Sequence, residues 1–202
     1  MVNIKHKKQK NDGYNWKCGA ICLEMIYDYY SIPYTSPEIW GKIKTKRNSQ
    51  ANSIIPQWFS LTHKLAHDSI DRGLPATIYK AKNAEILHEI DKLGIPAILS
   101  ITQKKSNNSH FVIFKGIKND KYYFCDPDEA KEEVYMDYRK IKDMWSPNIE
   151  KDVAGFIFLV FNKRKNDLYR CCSHCGKQIP IIHDILVNET QAIICPYCDY
   201  VI

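Results

Sequence analysis

The chain has 202 residues, of which 45% are hydrophobic and 12% are aromatic, so it can bury one full core and carry one small appendage. Its net charge is +6 at pH 7, and the lysines are dispersed apart from a cluster in the first ten residues, so nucleic-acid binding is permitted but not indicated. The N-terminal segment is basic and lacks the continuous apolar segment of a signal peptide, and no later run approaches the roughly 18 apolar residues needed to span a bilayer. We therefore expect a soluble, cytoplasmic protein of two unequal domains, with no membrane span.

Residues 18–30, CGAICLEMIYDYY, predict a helix that is buried on almost every side. Its charged residues, Glu24 and Asp28, lie four apart and therefore share one narrow stripe. The helix begins at Cys18 without a capping Ser, Thr, Asp or Asn, so a thiol lies where unpaired N–H groups and the helix dipole stabilise a thiolate. Cys18 is therefore a candidate nucleophile. The alternative is a small buried hydrophobic residue that begins a core helix.

Helical patterns occupy the first half of the chain and strand patterns the second. Apolar periodicity and capping residues predict helices over residues 35–43, 57–72 and 83–93, with a short one at 138–145 and a polar loop at 44–53. Strand-like runs cover residues 76–79, 95–101, 110–114, 121–125 and 155–161. This order predicts the α+β class, in which N-terminal helices cover a C-terminal antiparallel sheet.

A cysteine nucleophile needs a nearby base and a third group that orients the base, and these groups meet in space rather than in sequence. Of the seven histidines, His110 alone opens a strongly apolar strand, so its ring can lie at the sheet edge and face the helix start. The next strand ends at Asp126, whose carboxylate is placed to accept the other ring N–H. Cys18, His110 and Asp126 are the candidate catalytic triad, and their order along the chain is the papain-like one. Taken singly, a structural histidine and a turn aspartate remain the alternatives.

These segments resemble a known family, the papain-like peptidases that remove double-glycine leaders from bacteriocin precursors, together with their stand-alone relatives. The resemblance extends from residue 9 to residue 161 and is carried by KCGAICLEMIYDYY, LGIPAILSI, HFVIFKGI, YYFCDPD and GFIFLVF, in the family's order. It implies a papain-like cysteine peptidase fold, with Cys18, His110 and Asp126 as the catalytic triad.

The resemblance also implies that a glutamine upstream of the cysteine donates a side-chain N–H to the oxyanion. Gln9 is the candidate for this donor, and Asn11 and Asn15 are its substitutes. In the implied mechanism His110 deprotonates Cys18, and the thiolate attacks a peptide or isopeptide carbonyl. Gln9 and the Cys18 backbone N–H hold the oxyanion, and water then releases the acyl group.

The C-terminal region carries five of the eight cysteines, and four of these form two CxxC pairs. The pairs are Cys172 with Cys175 and Cys195 with Cys198, a distribution that favours metal binding over disulfides. The spacing fits a tetrahedral four-cysteine zinc site, and the two pairs resemble the knuckles of zinc ribbons with a small hairpin between them. Because about 35 residues cannot hold a core alone, we predict a structural Zn²⁺.

Two other chemistries of this cysteine cluster remain open. One CxxC could act as a redox-active dithiol, and Cys171 or His174 could replace one of the four ligands. A closed four-cysteine site leaves no position for a catalytic water, so we expect the ribbon to dock to a protein, a substrate or a nucleic acid.

The predicted organisation is a papain-like peptidase domain at residues 1–165 and a zinc ribbon at 166–202, with a charged linker at 163–167. The predicted function is that of a cysteine peptidase with a peptide or protein substrate. Two other functions fit the same residues. The triad would also support deamidation, amide hydrolysis or transpeptidation. An inactive papain-like adaptor could instead bind protein or nucleic acid through the ribbon.

Overall fold

A computed structural model describes residues 1–9, 17–46, 58–103, 108–146, 155–163 and 168–202. In these ranges the helices are α1 (Cys18–Tyr29), α2 (Ser36–Ile43), α3 (Thr62–Asp71), α4 (Ile86–Leu93), α5 (Tyr138–Trp145) and α6 (Asp184–Glu189). The strands are β1 (Lys44–Lys46), β2 (Trp58–Ser60), β3 (Ala76–Ala81), β4 (Ala97–Gln103), β5 (Asn108–Lys118), β6 (Lys121–Cys125), β7 (Val134–Met136), β8 (Ile157–Phe161), β9 (Tyr169–Cys171), β10 (Gln178–Pro180) and β11 (Thr190–Ile194). The chain therefore has the predicted α+β order.

Seven of the strands form one antiparallel sheet in the order β11-β3-β8-β4-β5-β6-β7. Side chains alternate across this sheet, so that on β5 Phe111 and Ile113 face one core while Val112 and Phe114 face the other. Helices α1, α2 and α3 cover the first face, and α4, α5 and α6 cover the second. Because both faces are covered, the central strands carry apolar runs on both faces instead of strict alternation with polar residues.

Helix α1 is buried as its composition predicts. Nine of its twelve residues are buried, and no side chain caps its N-terminus at Lys17. Its charged stripe has a partner in the N-terminal segment, because Lys7 Nζ lies 2.8 Å from Glu24 and 2.7 Å from Asp28. The stripe therefore attaches residues 1–9 to the helix that carries the candidate nucleophile.

The predicted helix over residues 57–72 is wrong in its first part. Trp58–Ser60 is strand β2, which pairs with β1, and helix α3 begins at Thr62. Aromatic residues at helical spacing also fit a short strand, and a partner strand that is distant in sequence decides between the two. Strand β7, a three-residue strand paired with β6, was also not predicted from the sequence. Within the predicted loop 44–53, residues 44–46 form β1, and the remainder lies outside the described residues.

The C-terminal segment adds a strand to the large sheet. Strand β11 pairs with β3, and a six-residue helix precedes it, so the hairpin expected between the two knuckles is not formed. Thr77 Oγ1 donates to Pro180 O (2.5 Å) and accepts from Ile182 N (3.1 Å), and Tyr79 Oη donates to Ile182 O (2.9 Å). The predicted boundary between residues 165 and 166 lies outside the described residues. Among the helices that the structure describes, none is long and apolar enough to cross a membrane.

Candidate active site

The N-terminal segment is extended and fixed to the sheet at several points. Val2 N donates to Lys115 O (2.7 Å), and the Val2 and Ile4 side chains are buried in the core beneath α1. Farther along, His6 Nε2 lies 2.9 Å from the backbone oxygen of Asp126. Buried and exposed residues alternate along this segment, as they do along a strand. The segment is therefore extended, and its residue 9 lies near the end of β6.

The start of α1 packs closely against its neighbours. A Cβ atom at Gly19 would lie 2.5 Å from Ser60 Oγ, 3.2 Å from Phe111 Cδ2 and 3.3 Å from Leu65 Cδ1. Only glycine lets β2, α3 and β5 approach the helix this closely. The preceding residue, Cys18, is buried in the same core, at the first helical position. Its location is therefore fixed by three different elements.

His110 and Asp126 form a short hydrogen-bonded pair next to Cys18. His110 Nε2 lies 2.6 Å from Asp126 Oδ1, and both His110 and Cys18 are only 4% exposed. Burial alone would lower the pKa of the imidazole, but hydrogen bonds and charge from Asp126 and the Cys18 side chain raise that pKa to about 10. Burial alone would raise the pKa of the Asp126 carboxyl, but His110 holds that pKa below its usual range. The imidazolium form of His110 is therefore favoured at neutral pH.

Asp128 also contacts the imidazole and was not predicted from the sequence. Its Oδ2 lies 3.7 Å from His110 Nδ1, and its backbone N–H donates to Asp126 Oδ1 (2.9 Å). His110, Asp126 and Asp128 also form a group with one ligand atom each within 4.8 Å, but their mutual hydrogen bonds already account for this proximity. The repeated carboxylate in Asp-Pro-Asp was the sequence signal that could have identified Asp128.

Gln9 lies beside this cluster. Its backbone N–H donates to Pro127 O (2.8 Å), and its side-chain Nε2 donates to Asp128 Oδ1. Its Oε1 is buried and has no partner among the described residues. The structure thus brings Gln9 to the Asp128 side of the imidazole. The two substitute donors, Asn11 and Asn15, lie outside the described residues.

Comparison with known proteins places the chain in a family. Residues 4–149 match the Peptidase C39 family. The chain belongs to the C39 peptidases. The matched region contains Gln9, Cys18, His110 and Asp126, and it makes up more than half of the chain. No curated protein matches the sequence.

Solved structures of C39 peptidases share the fold at low sequence identity. A putative C39-like peptidase from Bacillus anthracis is 16% identical, with a TM-score of 0.63 over 81% of this chain and 96% of that chain. The peptidase domain of Streptococcus ComA, a bi-functional ABC transporter of a quorum sensing pathway, is 14% identical, with a TM-score of 0.59 over 80% and 100%. A double glycine motif protease from an AMS/PCAT transporter, in complex with the leader peptide, is 20% identical, with a TM-score of 0.54 over 79% and 91%. These likenesses support the fold.

A second cluster of reactive side chains lies in this C39 peptidase beyond the matched region. Cys172, Cys175, Cys195 and Cys198 place their sulfur atoms within 4.8 Å of one another. The remaining C-terminal cysteine, Cys171, is exposed, and its thiol is 3.5 Å from Gly176 O. The four predicted ligands therefore meet in space.

Proposed function

We propose that this C39 peptidase cleaves a peptide or isopeptide bond with Cys18 as nucleophile, His110 as general base and Asp126 as the group that orients the base. The hydrogen-bonded pair of His110 and Asp126 next to the buried Cys18 is the observation that supports this assignment. Because Nε2 bonds to Asp126, the other ring nitrogen, Nδ1, is the one available to the thiol. This division of the two nitrogens is what a cysteine–histidine pair requires.

Proton transfer from the Cys18 thiol to His110 Nδ1 precedes substrate binding and gives a thiolate–imidazolium pair as the resting form of the site. The raised imidazole pKa favours this transfer, and the low dielectric of a buried site strengthens the attraction between the two charges. The thiolate then adds to the scissile carbonyl carbon. When the C–N bond breaks, the imidazolium gives its proton to the leaving amine, and the acyl group stays on Cys18 as a thioester. Water, deprotonated by His110, hydrolyses the thioester and restores the thiol.

Gln9 would act as an oxyanion donor together with the backbone N–H of Cys18. The first N–H groups of a helix have no partner within the helix, so the Cys18 N–H is suited to this role. The Gln9 amide is bonded to Asp128 in the structure described here, and it would exchange that bond for one to the oxyanion as the carbonyl is attacked. A donor of this kind lowers the barrier by roughly 3–4 kcal/mol.

The substrate is proposed at the level of its chemical class. The leader peptide bound by the transporter-derived relative makes peptides with a double-glycine motif the first substrates to assay. A wider set of peptide, isopeptide and side-chain amide substrates would distinguish hydrolysis of the main chain from deamidation or transpeptidation, which the same residues support.

The proposal is tested by alkylating the folded chain with iodoacetamide from pH 5 to 9 and mapping the labelled sites by mass spectrometry. We expect Cys18 to be alkylated faster than the other buried thiols at neutral pH, and to lose this reactivity in His110→Ala. Cys22 and Cys125 are internal controls, because burial raises the pKa of both thiols, to about 11 for Cys125.

Three results would count against the proposal. A Cys18 that stays unlabelled in the folded protein would leave the inactive adaptor as the better hypothesis. A reactive Cys18 that retains its pH profile in His110→Ala would contradict the role of His110 as base. A reactive Cys18 in a protein that hydrolyses side-chain amides but no peptide bond would replace peptidase activity by another thiol acyl transfer.

A further inference from the structure

The four-cysteine cluster has the dimensions of a tetrahedral zinc–thiolate site. Cys172 Sγ lies 3.7 Å from Cys198 Sγ, and Cys175 Sγ lies 3.7 Å from Cys195 Sγ. Four thiolates bound tetrahedrally at the Zn–S distance of about 2.3 Å would be about 3.8 Å apart, which agrees with both distances. A disulfide needs about 2.05 Å, so neither pair is bonded as a disulfide.

Each CxxC pair also adopts the same tight turn. Gly176 N donates to Cys172 O (2.9 Å), and Asp199 N donates to Cys195 O (3.0 Å). The residue after each pair has a left-handed backbone, with φ of +71° at Gly176 and +60° at Asp199. Two turns of one geometry, far apart in sequence, present their thiols to a common centre. A metal ion is the ligand that such a thiol cluster recognises.

The second knuckle contacts helix α3 of the C39 domain. The Tyr197 ring lies edge-on to His67, with ring centroids 5.0 Å apart, and Asp199 Oδ1 lies 3.4 Å from His63 Nδ1. His63 and His67 are one turn apart on α3, so both face the knuckle. The knuckle also continues directly from β11, which is hydrogen-bonded to β3.

Helix α3 in turn supports the start of α1. Leu65 of α3 is fully buried, and it is one of the side chains within van der Waals reach of Gly19. A displacement of α3 would therefore open space beside Gly19 and the neighbouring Cys18. This packing connects the cysteine cluster to the helix start through a single intervening helix.

We propose that Cys172, Cys175, Cys195 and Cys198 bind one structural Zn²⁺, and that this ion holds the C-terminal segment on α3 and on the sheet edge at β3. On binding, the four thiols lose their protons and form four Zn–S bonds, so affinity falls as the pH is lowered. The site is closed by four protein ligands and leaves no position for a catalytic water. Its effect is on the stability of α3 and β3, and the inference does not depend on peptidase activity.

The test begins with the full chain produced in zinc-containing medium. We expect one zinc per chain by elemental analysis, and a tetrahedral thiolate spectrum after exchange with Co²⁺. Removal of the metal by a strong chelator under reducing conditions is expected to lower Tm by about 10 °C or more. Hydrogen exchange should then rise in α3, β3 and β11 more than in β5 and β6.

The matched variants are Cys175→Ser and Cys171→Ser. Both replace an exposed cysteine in the first knuckle region, but only Cys175 is in the cluster. We expect Cys175→Ser to lose the bound zinc and to show the lower Tm of the metal-free protein, whereas Cys171→Ser keeps both. If Cys175→Ser does not fold, the Co²⁺ spectrum of the unmodified chain and of Cys171→Ser still tests the ligand set.

Three results would overturn the zinc assignment, and a fourth would contradict its action through α3. The first is wild-type protein that contains no metal and whose Tm does not change with chelator. The second is a disulfide within the cluster in protein purified under reducing conditions, which would indicate a redox pair. The third is a Cys171→Ser variant that loses zinc, which would give the ligand position to Cys171. If hydrogen exchange in α3 does not change after metal removal, the ion does not act on the domain through the contact between the second knuckle and α3.

Discussion

The two cysteine-containing regions of this protein use the same side chain in opposite settings. At the start of α1 a single thiol, Cys18, lies beside a buried imidazole that is bonded to a carboxylate. At the C-terminal end four thiols converge within 4.8 Å of one another. The first setting supplies a proton acceptor and a counter-charge for one thiolate. The second brings together four sulfur atoms, which we propose as the ligands of one Zn²⁺.

The difference shows that the neighbours of a cysteine decide its chemistry, more than its burial does. Cys18, Cys22 and Cys195 are all buried, but among the three only Cys18 has His110 as a hydrogen-bonding neighbour, and only Cys195 belongs to a group of four thiols. Cys22 has neither, and its thiol donates to Phe111 O (3.3 Å) as a core residue does. A buried thiol without a base or a metal is inert.

The comparison predicts that the loss of one carboxylate affects only the catalytic region. In Asp126→Asn the imidazole loses its charged partner, so we expect the alkylation rate of Cys18 at pH 7 to fall by about 10²-fold or more. Zinc content should not change. Asp120→Asn is the matched control, because it makes the same change at an exposed turn of the hairpin between β5 and β6. An equal fall in both variants would contradict the role of Asp126.

Gly19→Ala should perturb the nucleophile through packing. The added methyl group would meet Ser60, Phe111 and Leu65, so we expect a loss of about 1–3 kcal/mol in the free energy of unfolding, together with slower labelling of Cys18. Gly41→Ala in α2 is the control. Nothing lies within 4 Å of its new Cβ, and alanine should stabilise the helix by up to about 1 kcal/mol. If urea unfolding shows the same change in the free energy of unfolding for Gly19→Ala and Gly41→Ala, close packing at Gly19 is contradicted.

Thr77→Val should affect the C-terminal region first. It removes the hydroxyl that donates to Pro180 O and accepts from Ile182 N, so a buried donor and a buried acceptor lose their partner at a cost of about 1–3 kcal/mol. We expect a lower Tm and faster hydrogen exchange in β11, with the pH profile of Cys18 labelling unchanged. Thr77→Ser keeps the hydroxyl and should recover most of the stability. If the serine variant is no better, these hydrogen bonds do not hold the segment.

A pH dependence of stability should also arise at His110 and Asp126. Because the pKa of His110 is raised from 6.5 to about 10, its contribution is fully present below pH 6.5 and is lost as the pH rises through 10. Asp126, whose pKa is lowered from 3.8, contributes above that pH and loses its contribution as the pH falls below it. The difference in the free energy of unfolding between wild type and Asp126→Asn, measured by urea unfolding, should therefore be larger at pH 6 than at pH 9. A free-energy difference that grows toward pH 9 would contradict the raised pKa of His110.

Local sequence patterns determined where many of the helices and strands begin and end. The apolar run from Cys18, the capping box of Thr35 and Glu38 and the stop at Gly94, whose φ is +62°, each specify a helix boundary within a few residues of sequence. The apolar runs of β4, β5 and β8 mark strands that are covered on both faces. The α+β class and the membership of the C39 family were therefore both predictable from the sequence.

The candidate sites were predictable to different degrees. The spacing of the two CxxC pairs alone predicts four cysteines as metal ligands, and the structure brings these four together. Pairing His110 with Asp126 required a prediction of which strands are neighbours in the sheet. In the structure His110 Nε2 lies 2.6 Å from Asp126 Oδ1. Asp128 was missed: the repeated carboxylate of Asp-Pro-Asp was its only local signal, and that signal does not show that an imidazole from another strand will contact the second carboxylate. The role of Gln9 stays a prediction, since its amide is bonded to Asp128 in the structure.

Only the tertiary structure decided how the C-terminal segment is attached. The sequence TQAII indicates a short strand, but nothing in it specifies β3 as the partner, because an edge strand pairs through backbone groups that all sequences share. The contact of Gly19 with Leu65 and the contact of the second knuckle with α3 likewise depend on how distant elements pack. Residue types and spacings determined which chemistry each region can perform, and long-range packing decided that the cysteine cluster and the nucleophile helix contact the same helix.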